Sequence, residues 1–112
     1  MPFIDTKQLS VKEPLPGWKG RFLNSENMTF GYYTVAAGAS IHEHCHPNEE
    51  VWHIIEGEFE VTIDGETGVV GAGCVAAVPP NTSHRVKALS DGRVIVVDHP
   101  LRQSIGSVNT DD

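Results

Sequence analysis

The stretch Gly38-Ala39-Ser40-Ile41-His42-Glu43-His44-Cys45-His46-Pro47-Asn48-Glu49-Glu50, continuing through Val51-Trp52-His53-Ile54-Ile55-Glu56 to Gly57, places His44, His46 and Glu50 within seven residues at even spacing. In extended chain successive side chains alternate sides, so these three share a face. Imidazole and carboxylate ligate zinc, iron, manganese, nickel, cobalt and copper, and a site needs convergence rather than abundance. Parity turns Cys45 away, and it reads as a small buried apolar side chain. Glu49 competes with Glu50, because the turn at Pro47 weakens any parity argument across it. A further ligand must come from elsewhere, and His84 closes the turn Pro79-Pro80-Asn81-Thr82-Ser83, which can deliver it from another strand.

Working outward, the spacing is G-x5-H-x-H-x3-E-x6-G from Gly38 to Gly57, and then Gly73, Pro79, Asn81 and His84 follow at fixed intervals. Together these resemble the two signature motifs of the cupin superfamily, the first carrying two histidines and a glutamate and the second the last histidine. Asn81 stands where the family usually has glycine, and asparagine tolerates the left-handed backbone that turn needs. Ala88 stands where the family usually has asparagine and cannot replace that side chain. The resemblance implies an all-β jelly-roll barrel (a double-stranded β-helix). It also implies one divalent transition metal (Fe, Mn, Ni, Zn, Co or Cu) held inside by His44, His46, Glu50 and His84, and so prefers Glu50 to Glu49.

Composition sets the frame. A chain of 112 residues with 39% hydrophobic and 21% charged residues is expected to form one globular domain, with residues 1–17 as a Pro-rich arm and 103–112 as a disordered tail. Net charge of −7 argues against nucleic acid, which needs clustered Lys and Arg. An anionic small molecule stays open, because a metal and one local Arg can outweigh the global field. No apolar run approaches the roughly 18–20 residues of a membrane span, and a cytoplasmic location is expected. Cys45 and Cys74 are too few for a disulfide framework.

Short β-branched and aromatic runs separated by Gly, Pro and Asp predict strands at 28–36, 51–55, 58–64, 67–70, 74–78 and 93–98. Asp64-Gly65 is a tight-hairpin signal. Within 58–64, Phe59, Val61 and Ile63 face inward while Glu58, Glu60, Thr62 and Asp64 face water, and 74–78 reads as buried. Seven to nine short strands in about 80 residues must close into a barrel or two packed sheets. The arm before Gly17 has no evident strand partner within such a barrel, which together with the cupin resemblance predicts a homodimer.

Trp52 and Ile54 share the parity of Glu50, and Trp52 is expected in the wall of a substrate pocket. Tyr32, Tyr33, Phe59 and Arg93 are further pocket candidates. His42 shares parity with His44 and, with Glu50, is the candidate for acid–base work, whereas His53 and His99 read as ordinary surface or packing residues. Three imidazoles and one carboxylate leave coordination positions open, as a catalytic rather than structural site does. The expected function is a small-molecule metalloenzyme, and the cupin resemblance implies a dioxygenase, isomerase or lyase acting on a metal-chelating organic or sugar-derived compound. The alternative is a non-catalytic cupin that binds or senses a small ligand.

Overall fold

The computed structural model describes residues 3–102, so the tail expected at 103–112 lies outside the described residues. Ten strands follow one short 3-10 turn: β1 Lys12–Leu15, β2 Trp18–Asn24, β3 Thr29–Val35, β4 Ser40–His44, β5 Glu49–Glu56, β6 Glu58–Ile63, β7 Glu66–Gly71, β8 Val75–Val78, β9 His84–Ala88 and β10 Gly92–His99. Two antiparallel sheets result, one ordered β1-β2-β3-β10-β5-β8 and the other β4-β9-β6-β7. Their pairings nest: β3 with β10, β4 with β9, β5 with β8, β6 with β7. A long hairpin of eight strands whose successive pairs fall in alternate sheets is the jelly roll the sequence predicts.

Alternation drives the closure. Along β5 the buried residues are Glu50, Trp52 and Ile54, and along β10 they include Val94, Val96 and Asp98. Register places Ile54 beside Val94, Trp52 beside Val96 and Glu50 beside Asp98. The barrel interior is thus layered, apolar at one end and carboxylate-bearing at the other. The opposite sheet repeats the gradient, with Ala88 and Val86 leading to His84 along β9. Trp18 sits in the apolar layers, its ring nearly perpendicular to Tyr33 and to Trp52 at 5.7 Å each.

The predicted hairpin at Asp64-Gly65 is present, both residues in the left-handed region at φ 51° and 82°. Asn81 is left-handed as well, at φ 58°. Gly57 is more constrained still: its φ is +88°, and an added Cβ would lie 2.4 Å from the Asp91 carbonyl oxygen. Gly57→Ala is therefore expected to destabilise the barrel by about 3 kcal/mol, measurable as a lowered urea midpoint at unchanged slope. An unchanged midpoint would show that the turn yields freely.

Four expectations are corrected. The arm has a strand partner in its own chain, since β1 pairs with β2; Pro14 is tolerated because β1 is a sheet edge, where a missing N–H costs no ladder bond. Cys45 is exposed rather than buried, because β4 ends at His44 and the following turn faces solvent. The 74–78 run is an edge strand with one wet face, burying Ala76 and Val78 while Cys74 and Val75 are exposed. Thr62 is buried rather than wet, its hydroxyl hydrogen-bonded at 2.8 Å to Thr67, its cross-strand partner.

Candidate metal centre

His44 and His84 are register partners on β4 and β9, at the polar end of the smaller sheet. His46 lies just beyond β4, and its carbonyl accepts from the Asn81 N–H at 2.7 Å, which ties the first histidine segment to the turn that carries His84. Glu50 enters from β5 in the other sheet, so the barrel closes its two walls around the cluster. Ligand atoms of His44, His46 and His84 lie within 4.8 Å of one another, and a second set of that compactness comprises His46, Glu50 and Asp98. Glu50 Oε1 is 3.5 Å from His46 Nε2 and 3.0 Å from His84 Nε2.

The tautomers follow from the backbone. Nδ1 of His44 faces the His42 carbonyl at 2.8 Å, that of His46 the Asn48 carbonyl at 3.2 Å and that of His84 the Thr82 carbonyl at 2.8 Å. Carbonyl oxygens only accept, so each Nδ1 carries the hydrogen and each neutral imidazole turns its Nε2 lone pair inward. His46 Nε2, His84 Nε2 and Glu50 Oε1 are buried with no hydrogen-bond partner among the described residues. Acceptors converging in a buried space repel unless a cation or protons lie between them. The donor set therefore fits a divalent metal, with the backbone carbonyls fixing ring orientation as outer partners do at such sites.

Electrostatics keep the Glu50 carboxylate ionised in this cluster. Burial alone would raise Glu50, but His46, His84, the Trp52 indole and Arg102 outweigh it and hold the carboxyl well below the ordinary range. The Trp52 N–H acts there through proximity, since it makes no aligned hydrogen bond. Burial pulls His44 down, and His84 and His46 add to this; His84, although burial opposes it, is raised by Glu50 and the Thr82 carbonyl.

Glu50 and Asp98 share one cation, Arg102, whose Nη1 lies 3.3 Å from Glu50 Oε2 and 3.5 Å from Asp98 Oδ2. Burial and the Glu50 charge push Asp98 up to about 7, against the pull of Arg102. Because the folded value exceeds the ordinary 3.8, Asp98 adds stability that is full below 3.8 and lost as pH rises through about 7. Metal-free Asp98→Asn should thus gain on the wild type between pH 5 and pH 8 in thermal unfolding with chelator. The difference between the two proteins reports on the Glu50–Asp98 carboxyl pair, and parallel curves would contradict the assignment.

The cluster opens on a cavity of about 290 Å³ lined by apolar and aromatic side chains, among them Trp18, Phe22, Tyr33 and Trp52, with His42, Asp98 and Arg102 among its polar members. Trp52 lines this cavity. His42 is exposed at the rim, its ring centroid 5.9 Å from that of His44. Of the unranked candidates, Tyr33 lines the cavity and Phe59 is core, whereas Tyr32 stacks on Phe30 and Arg93 pairs with Glu56 at 3.2 Å, away from it. Glu49 is exposed in register with His99, and His53 is exposed too. Asp98 and Arg102 escaped the sequence reading. A carboxylate at the inward parity of the Val94-Val96 run was a usable signal for Asp98; Arg102 offered none.

Residues 31–100 match the cupin domain family. An uncharacterized protein of Streptomyces coelicolor is 35% identical over 81 residues, which cover 71% of this chain and 77% of that one. A Streptomyces cyaneus protein named polyketide synthase CurC is 35% identical over 86 residues, covering 72% of this chain and 56% of that protein, so the match spans little more than half of this relative. An RmlC-like cupin from Shewanella frigidimarina superimposes with a TM-score of 0.87 at 26% identity, over 94% of this chain and 96% of that one. KdgF from Halomonas sp. gives 0.86 at 22% identity, over 94% and 98%, a likeness of fold. Nested strand pairs, the inward histidines and glutamate and the matched residues 31–100 converge on one conclusion: the chain belongs to the cupin domain family.

Proposed function

We propose that this cupin is a metal-dependent enzyme for a small chelating molecule, held by His44, His46, Glu50 and His84 through one divalent ion. The observation that carries the reading is the inward cluster of imidazole lone pairs and carboxylate, opening directly onto a largely apolar cavity. When bound, such an ion supplies Lewis acidity and coordination positions for substrate oxygens. The rest falls to side chains. In this proposal Trp18, Phe22, Tyr33 and Trp52 clamp a flat body and exclude water, and His42, exposed among the lining residues, takes the acid–base role.

A wall this apolar suits an enol or aromatic compound better than a sugar, whose hydroxyls would be stranded without partners. Similarity to a protein named a polyketide synthase supports the same choice, since polyketides are carbonyl chains that enolise and chelate. Dioxygenation, isomerisation and lyase chemistry all remain compatible with that substrate. A homodimer is part of the proposal, supported by exposed Phe3, Ile4 and Val11 on either side of the first turn and next to edge strand β1; a cytoplasmic location is proposed with it.

Metal analysis of protein grown with defined metals, coupled to an oxygen-uptake and product screen over chelating enols and aromatic acids, tests the reading. Once a substrate is found, Glu50→Gln is expected to lower kcat by roughly tenfold or more with KM little changed, because ligand charge falls while pocket shape is kept. Saturable binding of one class with no conversion under any metal would instead support a sensing or binding protein.

A further inference from the structure

We propose that Arg102 is the anion-recognising residue of the cavity, so that the ligand carries a carboxylate on an apolar, ring-bearing body. This rests on the metal reading above and deepens it. Arg102 lies beyond the last strand, yet its backbone is pinned by buried polar groups. The Asn48 amide donates to the carbonyls of Pro100 and Leu101, and the Arg102 N–H donates to Thr29 Oγ1 at 2.9 Å, whose own hydroxyl is bonded to Asn24. Its side chain is only 11% exposed, which is unusual for a residue in a loop segment. Such anchoring holds a guanidinium in place before any ligand arrives.

Its two carboxylate contacts, to Glu50 and Asp98, both use Nη1, and the other guanidinium nitrogens make no hydrogen bond to a described residue. Arginine presents a planar fork that matches a carboxylate with two parallel bonds, so donors are left for a ligand. Charge points the same way. A divalent ion and Arg102 together bring three positive charges, which Glu50 and Asp98, even if both are ionised, reduce to one. A residual cation at the polar end of an apolar cavity is costly when empty and favours a singly charged anion. The bland alternative is that Arg102 only neutralises its two carboxylates, and then a ligand's charge would not matter to it.

Trp18 and Trp52 line the cavity and supply a fluorescence readout independent of turnover. The probes are salicylate, an aromatic carboxylate with a chelating hydroxyl, and salicylamide, its uncharged counterpart, titrated into zinc-loaded protein with zinc content measured for every sample. Wild type is expected to bind salicylate roughly thirtyfold more tightly than salicylamide. Arg102→Gln should reduce that ratio to within about threefold with zinc retained, and Arg102→Lys should keep roughly tenfold. If the glutamine variant loses its near-ultraviolet circular dichroism, Arg102→Met replaces it, keeping the aliphatic stem without the charge. An undiminished ratio in the neutral variant, or wild type that shows no preference or no binding, overturns the proposal while leaving the metal reading standing. Wild type that holds no zinc or other divalent metal overturns both.

Discussion

Replacing His46 by alanine is expected to weaken divalent-metal binding by at least about 100-fold while the β-sheet circular dichroism is preserved. His46 is the ring that belongs to both compact ligand sets, one with His44 and His84 and one with Glu50 and Asp98, so its loss strips a donor from either arrangement. The fold should survive because the apolar layers around Trp18, Ile54 and Phe59 form without any contribution from the cluster. Titration calorimetry with zinc or manganese, beside elemental analysis of the purified variant, gives the answer. Stoichiometric metal at unchanged affinity would mean that the ligands lie elsewhere.

The largest loss of stability is expected from Trp18→Ala, at about 3–5 kcal/mol. Trp18 is 1% exposed and packs on Tyr33, Trp52 and Phe59, joining the first long strand to three others. Its removal leaves a void that three rigid rings cannot collapse to fill, and it also deprives the cavity of one wall. Thermal unfolding should show a midpoint lowered by about 15 °C or more. A shift of only a few degrees would mean that the aromatic layer repacks.

The fold was legible where turn chemistry and alternation agreed: the Asp64-Gly65 hairpin, the inward parity of Trp52 and Ile54 and the left-handed turn at Asn81 all stand as read, whereas β4 and β9, which carry His44 and His84, were not among the predicted strands. The signal failed where the local pattern is broken by chemistry that only tertiary context resolves. Trp18, Gly20 and Phe22 alternate inward on β2, but glycine at the middle position leaves no side chain to read. β1 hides behind Pro14 and Pro16, which count against a central strand and not against an edge. The inward histidines were readable because a motif fixes their spacing. Asp98 left one local trace, its parity with Val94 and Val96 on β10, whereas Arg102 joins the site only through a loop pinned by Asn48, which leaves none.

Nesting of the strand pairs also orders events in time. The pair β3–β10 joins Thr29 to Asp98, and His44 meets His84 only when the β4–β9 pair inside it has closed. On a chain emerging amino end first, His44, His46 and Glu50 are present while His84, Asp98 and Arg102 have yet to be made, so an early ion meets three of the four proposed ligands on a chain that does not yet hold them together. Closing such distant pairs is slow, because the entropy of the enclosed loop is lost before the contacts reward it. On the proposed metal reading, capture accordingly belongs to the finished barrel, where an ion slows unfolding rather than hastening folding.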